Sequence, residues 1–249
     1  ADQICLLLGV NRPAAWGDHN DLALVTPELR VCLVACALGK IGSPLHPNAQ
    51  IKSMRDRIER ATLDRVQFIT DEMPRAQTPT LALIELDGPD KFPERGTDPK
   101  AAIRAGFART GRHSQFFEAA SQVQSTERVR KAVLDGFRHL GMRPSMPEVV
   151  GAPSLDYCAI WFVKQNKPTS FTGKRRIVPL LVHINGRTGE TTALVDREQG
   201  WVSYRQALLE LGKGNTRAFD HDTEAFGFIE RLVEQELLPD GDLLLMCDA

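Results

Sequence analysis

The stretch DPKAAIRAGFARTGRHSQFF, residues 98–117, sets Lys100, Arg104, Arg109, Arg112 and His113 between Asp98 and Glu118 with no carboxylate among them. Side chains of this kind are suited to holding an anion, by charge and by N–H donation. Lys100 and Arg104 are one helical turn apart, where like charges repel by about 0.2–0.5 kcal/mol unless something negative lies between them. A helix N-terminus at the same place adds free N–H groups and partial positive charge, so a phosphate would satisfy all of them together. Across 98–143 nine Lys or Arg face four Asp or Glu, a surplus of five in a chain whose formal net charge is -1. The competing reading of such a run is a solvated helix face.

Local signals predict the elements that would position these groups. Asp98 is suited to N-cap a helix, Pro99 to its first turn, and Gly111 to the left-handed residue that ends it, which predicts a helix over 99–110. Two more helical pieces follow, the later being STERVRKAVLDGFRHLGM, 125–142, which carries Arg128, Arg130, Lys131, Arg138 and His139. Upstream, ICLLLGV (4–10), RVQFIT (65–70) and LALIEL (81–86) read as buried parallel strands. TPELRVCLVACALGK (26–40) and SMRDRIERATL (53–63) read as helices between them, an α/β alternation.

The character changes after RPSMPEVVGAPS (143–154), whose prolines and glycine mark a boundary. YCAIWFVKQN (157–166), RIVPLLVHI (176–184) and ETTALVD (190–196) read as strands, with the asparagine-glycine turn NGRTG (185–189) joining the last two into an antiparallel meander. An amphipathic helix over 200–214, a second over 222–238 and a strand DLLLMCD (242–248) complete the pattern. Trp201 and Tyr204, three residues apart, read as core contacts of the first of these helices. The expected division is 1–145, a linker at 146–155, and 156–249.

The 249 residues, 42% hydrophobic and 25% charged, are ordinary for a globular protein. The near-neutral total supplies no general field toward nucleic acid or an acidic membrane, so such binding must come from a local patch. Five cysteines without a CxxC pair read as reduced thiols, and the absence of a signal-peptide pattern or long apolar run suggests the cytoplasm and no membrane partner. Both ends fall next to apolar strands, the expectation for a piece of a longer protein.

A helix bearing a basic residue, a Gly-containing turn and then Ser114-Gln115 before an apolar residue resembles the guide 5′-end pocket of the MID domain in Argonaute and PIWI proteins. From about residue 80 onward the order of elements is similar to the bacterial PIWI-RE branch of that superfamily, with Gln115 at its most specific motif. The resemblance implies a Rossmann-like MID domain followed by an incomplete RNase H-like PIWI domain with a mixed sheet. It implies that Arg104 pairs with the 5′-phosphate of a guide strand, that Gln115 contacts the terminal base or phosphate, and that Lys100 and one of Arg138 or His139 lie alongside. Guide and target nucleic acid, RNA-DNA hybrids among them, would be the partners, in bacterial defence against foreign nucleic acid. A helicase and a separate nuclease encoded alongside would accompany them.

RNase H chemistry uses two divalent ions, Mg²⁺ or Mn²⁺, held by converging carboxylates. By position, Asp248 matches the fourth-strand aspartate of the family, and Glu224 could add a second carboxylate, alternatively read as an exposed helix-start glutamate. The first strand departs from the pattern: its centre is Ala159-Ile160-Trp161-Phe162-Val163, and the nearest acid, Asp156, lies at its start. Little or no strand cleavage is therefore expected. Lys174, Arg175, Arg176 and Arg187 could follow a nucleic-acid backbone by charge alone or serve only as solvated loop residues. Two further hypotheses stay open: an active metal-dependent nuclease completed by residues elsewhere, and an α/β module for a mononucleotide or other small phosphate ligand.

Overall fold

The computed structural model describes residues 21–25, 30–92, 94, 96–118, 122–142, 155–164, 177–195, 198–214, 216–236 and 243–247. ICLLLGV, Arg175, Arg176 and Asp248 lie outside these residues.

The first half is built on a parallel pair of strands, β3 (Thr80–Glu85) and β4 (Arg112–Phe117), with Leu83 opposite Gln115 and Glu85 opposite Phe117. Helix α2 (Lys100–Arg109) crosses over between them. Together with α1 (Met54–Glu72) it packs on one face, where Ile69, Ile84, Ile103 and Phe107 form a core completed by Phe116. Helix α3 (Gln122–His139) lies on the other face, with Gly136 against Leu81. Strands β1 (Asp21–Val25) and β2 (Arg30–Val34) form a separate antiparallel hairpin.

Three expectations are overturned here. RVQFIT is not a strand but the middle of α1, which Ser53 caps through its Oγ. Val66 and Ile69 are buried with Ile58 along one helical side, and Arg65 donates to the carbonyls of Ile41 and Ser43. A six-residue apolar run fits either period, and the neighbours decide. Conversely, the expected helix over 26–40 contains β2, whose alternating exposure reflects strand pairing with β1. The additional helical piece expected before 125 is not formed in 112–117, which is β4.

The second half is a five-stranded mixed sheet in the order β8-β7-β6-β5-β9. Strands β5 (Asp156–Lys164), β6 (Ile177–Ile184) and β7 (Thr191–Leu194) form the expected meander, joined at the second turn by Asn185, whose Oδ1 accepts from the N–H groups of Arg187 and Thr188. The short β8 (Val202–Ser203) adds to β7, and β9 (Leu243–Cys247) pairs parallel with β5. Helix α4 (Tyr204–Lys213) covers one face through Ala207 and Leu211, and α5 (Asp222–Glu236) the other through Phe228, Ile229 and Leu232. Trp201 precedes β8 and Tyr204 starts α4, and both pack against these cores. The architecture is thus mixed α/β, with a parallel unit followed by an RNase H-like sheet.

The halves meet through α4, which packs on α2, α3 and β4. The approach to α2 is close: a Cβ on Gly212 would stand 2.9 Å from that of Ala108.

Candidate nucleic-acid interface

Parallel strands leave their carboxyl ends open beside the N-terminus of the crossover helix, and ligands of open α/β sheets bind there. Here that place is a cleft of about 410 Å³ reached by Leu86 after β3, Phe117 at the end of β4, Lys100 from α2, and Arg128 and Lys131 from α3. The helix start is well made: the Asp98 carboxylate accepts the Lys100 N–H at 2.8 Å, and Gly111, with φ of 81°, ends the helix in the left-handed region.

Lys100 Nζ stands 5.3 Å and Arg104 Cζ 5.5 Å from the centre of the Phe116 ring. The two cations share one aromatic ring, which offsets their repulsion by about 0.5–1 kcal/mol apiece. Although Arg104 reaches the surface, desolvation by the surrounding protein lowers its pKa; it remains a cation and gains by meeting an anion. Gln115 projects from the opposite side of β4 and donates from Nε2 to Nδ1 of His139 at 3.1 Å, so these two residues, 24 positions apart, form one unit. Burial lowers the His139 pKa, Asp135 opposes this, and Arg104 adds to it.

Four carboxylates also line the cleft, and three have partners: Asp98 caps α2, Glu118 meets Arg128 at 3.5 Å, and Asp135 meets Arg138 at 3.0 Å. Lys100 and Gln115 thus line the cleft, with Arg104 beside its Phe116 and His139 behind its Gln115, while Arg138 is engaged by Asp135. Arg109 is in the last turn of α2, away from the helix start, and Arg112 donates to the carbonyls of Pro74 and Thr110. His113, grouped by sequence with the side chains suited to hold an anion, is instead 5% exposed in β4, with its ring 6.0 Å from that of His139. Among the described residues its Nε2 has no hydrogen-bond partner. Burial first, then the charges of His139 and of Arg205 on α4, lower its pKa to about 4, against a backbone hydrogen bond at Arg205. Neither the burial nor Arg205 was visible in the sequence around His113.

On the RNase H-like half, Glu224 is exposed in the first turn of α5. Asp156 pairs with Leu243 at the start of β9, four residues or about 13 Å along β5 from Ile160, which faces Cys247. It is engaged by His183 Nε2 and the Gly186 N–H, each at 2.9 Å. The Gly186 hydrogen bond is the main cause of its lowered pKa. Among the described residues no group of three or more His, Cys, Asp or Glu could hold a metal ion. Those residues do not fit a two-metal centre, and no cleavage step follows from them.

A parallel unit with an anion-suited cleft, joined to a sheet of antiparallel meander plus parallel fourth strand, defines a MID domain followed by an RNase H-like domain. Residues 24–148 match the MID domain of pPIWI_RE and residues 157–249 the RNaseH domain of pPIWI_RE, and the chain belongs to this family. No curated protein and no solved structure matches it. The pair of domains is that of Argonaute-like nucleic-acid-binding proteins. Among the described residues no helix is long and apolar enough to cross a membrane.

Proposed function

We propose that the cleft holds the 5′-phosphorylated end of a guide strand and that the RNase H-like domain carries the guide paired with its target, in bacterial defence against foreign nucleic acid. The observation that carries this reading is the convergence of Lys100 and Arg104 over Phe116 beside the start of α2 and the strand bearing Gln115. A phosphate placed there gains two cations, helix N–H groups and an amide donor. The RNase H-like domain acts in this scheme as a surface for the duplex. Between domains packed through Gly212 and Ala108, a strand anchored at its end runs on along a fixed path.

Affinity should therefore grow with strand length beyond a single nucleotide and fall as salt rises. Each phosphate neutralised on a single strand contributes a slope of about -0.7 in log K against log salt. Titrating a nucleoside 5′-monophosphate and a series of 5′-phosphorylated strands at several salt concentrations reads both. Equal affinity for the mononucleotide and the long strand would replace this reading with that of a small-phosphate module.

A further inference from the structure

Gln115 and His139 form a pair whose donor and acceptor roles are not fixed by either residue alone. A carboxamide offers N–H donors at one end and an acceptor at the other, and a neutral imidazole can accept or donate at Nδ1 according to its tautomer. As placed, Gln115 donates one of its two Nε2 N–H groups to His139 Nδ1, so a single N–H remains for an incoming anion, beside an amide oxygen that the anion repels. Once protonated, His139 can only donate at Nδ1; the amide must then present its oxygen to the ring, and its NH₂ group turns outward as a donor.

We propose that His139 is a proton-linked positioning residue for Gln115: an anion arriving beside Arg104 draws a proton from solvent onto the His139 ring, and the ring turns the amide over to face the anion. The proposal rests on the guide-end reading of the cleft and adds its regulation by pH. The charged surroundings of His139 support it from every side. Arg104 approaches from α2. On α3 itself Asp135 is held at 3.0 Å by Arg138. From β4 come Gln115 and the buried, cation-averse His113, which has Arg205 of α4 beyond it. Without ligand, burial and Arg104 hold the His139 pKa below its ordinary value, so the ring is neutral at neutral pH. An anion that offsets Arg104 raises it. A pKa that is higher in the bound state means proton uptake on binding and affinity that strengthens as pH falls.

The test is calorimetric titration of the full chain with a 5′-phosphorylated single strand in two buffers of different ionisation heat, repeated between about pH 6.5 and about pH 8. Below that range the strand's own phosphate, with a second pKa of about 6, titrates in the opposing direction. Expected are a net proton uptake and an affinity that weakens several-fold across the range, bounded by about tenfold per pH unit for one proton. His139→Gln keeps a polar side chain and should still prefer the phosphorylated strand, with weaker binding, a flat pH profile and no uptake. Asp135→Asn, at a half-exposed surface position, should shift the uptake to lower pH, because its carboxylate raises the His139 pKa. Phosphate-selective binding by the unaltered chain without uptake, or uptake that survives in His139→Gln, overturns the proposal and leaves the guide-end reading standing. Binding indifferent to the 5′-phosphate at every pH overturns both.

Discussion

Replacing Arg104 and Gln115 together by alanine is expected to weaken binding of a 5′-phosphorylated strand by about 2–4 kcal/mol, or roughly 30- to 1,000-fold. The larger share belongs to Arg104, since a guanidinium brings a full opposite charge to the phosphate and the Gln115 amide only a dipole. Neither side chain is fully buried: Arg104 is exposed, and the half-buried Gln115 hydrogen-bonds the His139 ring. A strand ending in 5′-hydroxyl should lose much less, because it never made the contact. Arg60→Ala, which removes an exposed cation paired with Asp64 on α1, should leave both strands unaffected. Fluorescence anisotropy of the two strands against the three proteins reads the difference directly. An equal loss for both ends would mean that the substitutions disturb general backbone binding rather than an end pocket.

The second large effect is on stability in acid. His113 is buried between β4, α3 and α4 beside cations, with its pKa lowered from 6.5 to about 4. The unfolded chain takes up a proton between those values and the folded chain does not. The stability contributed by the neutral ring is thus intact above about pH 6.5 and is lost as pH falls toward the folded pKa, by a total of about 3 kcal/mol. Because α4 belongs to the RNase H-like domain, the loss falls on the junction between the domains as well as on the MID core. His113→Leu should remove this dependence; at neutral pH the gain from deleting an unpartnered buried Nε2 is set against the loss of the backbone hydrogen bond at Arg205. Denaturant unfolding of both proteins near neutrality and near pH 4.5 checks it. Parallel pH profiles for the two would show that His113 is not the titrating group.

Much of what mattered was legible from local chemistry. The ends of α2 were readable because Asp98, Pro99 and Gly111 each act within one turn of their own position. The meander was readable because β-rich runs flank an asparagine-glycine turn that ties itself together through Asn185. RVQFIT misled because Val66 and Phe68 alternate as in a strand, while the helix partners that bury Val66 and Ile69 lie elsewhere in the chain. β4 hid for a different reason: Arg112–Phe117 contains no β-branched residue, and its strand state comes from pairing with β3 across the α2 crossover. Lys100 and Arg104 could be placed on one helix face by spacing alone. The hydrogen bond between Gln115 and His139, the ring of Phe116 beneath both cations, and Arg205 beside His113 could not, because each joins residues that only the packed layers bring together.

The central claim is that this MID domain reads a strand end. It is tested most directly by measuring, on the unaltered chain, the affinity for one single-strand sequence carrying either a 5′-phosphate or a 5′-hydroxyl. The account predicts tighter binding of the phosphorylated strand by at least about tenfold, the value of one good charge-assisted contact, at moderate salt. Equal affinity for the two ends would contradict it, and would leave Lys100 and Arg104 as cations that follow a backbone without recognising where it begins.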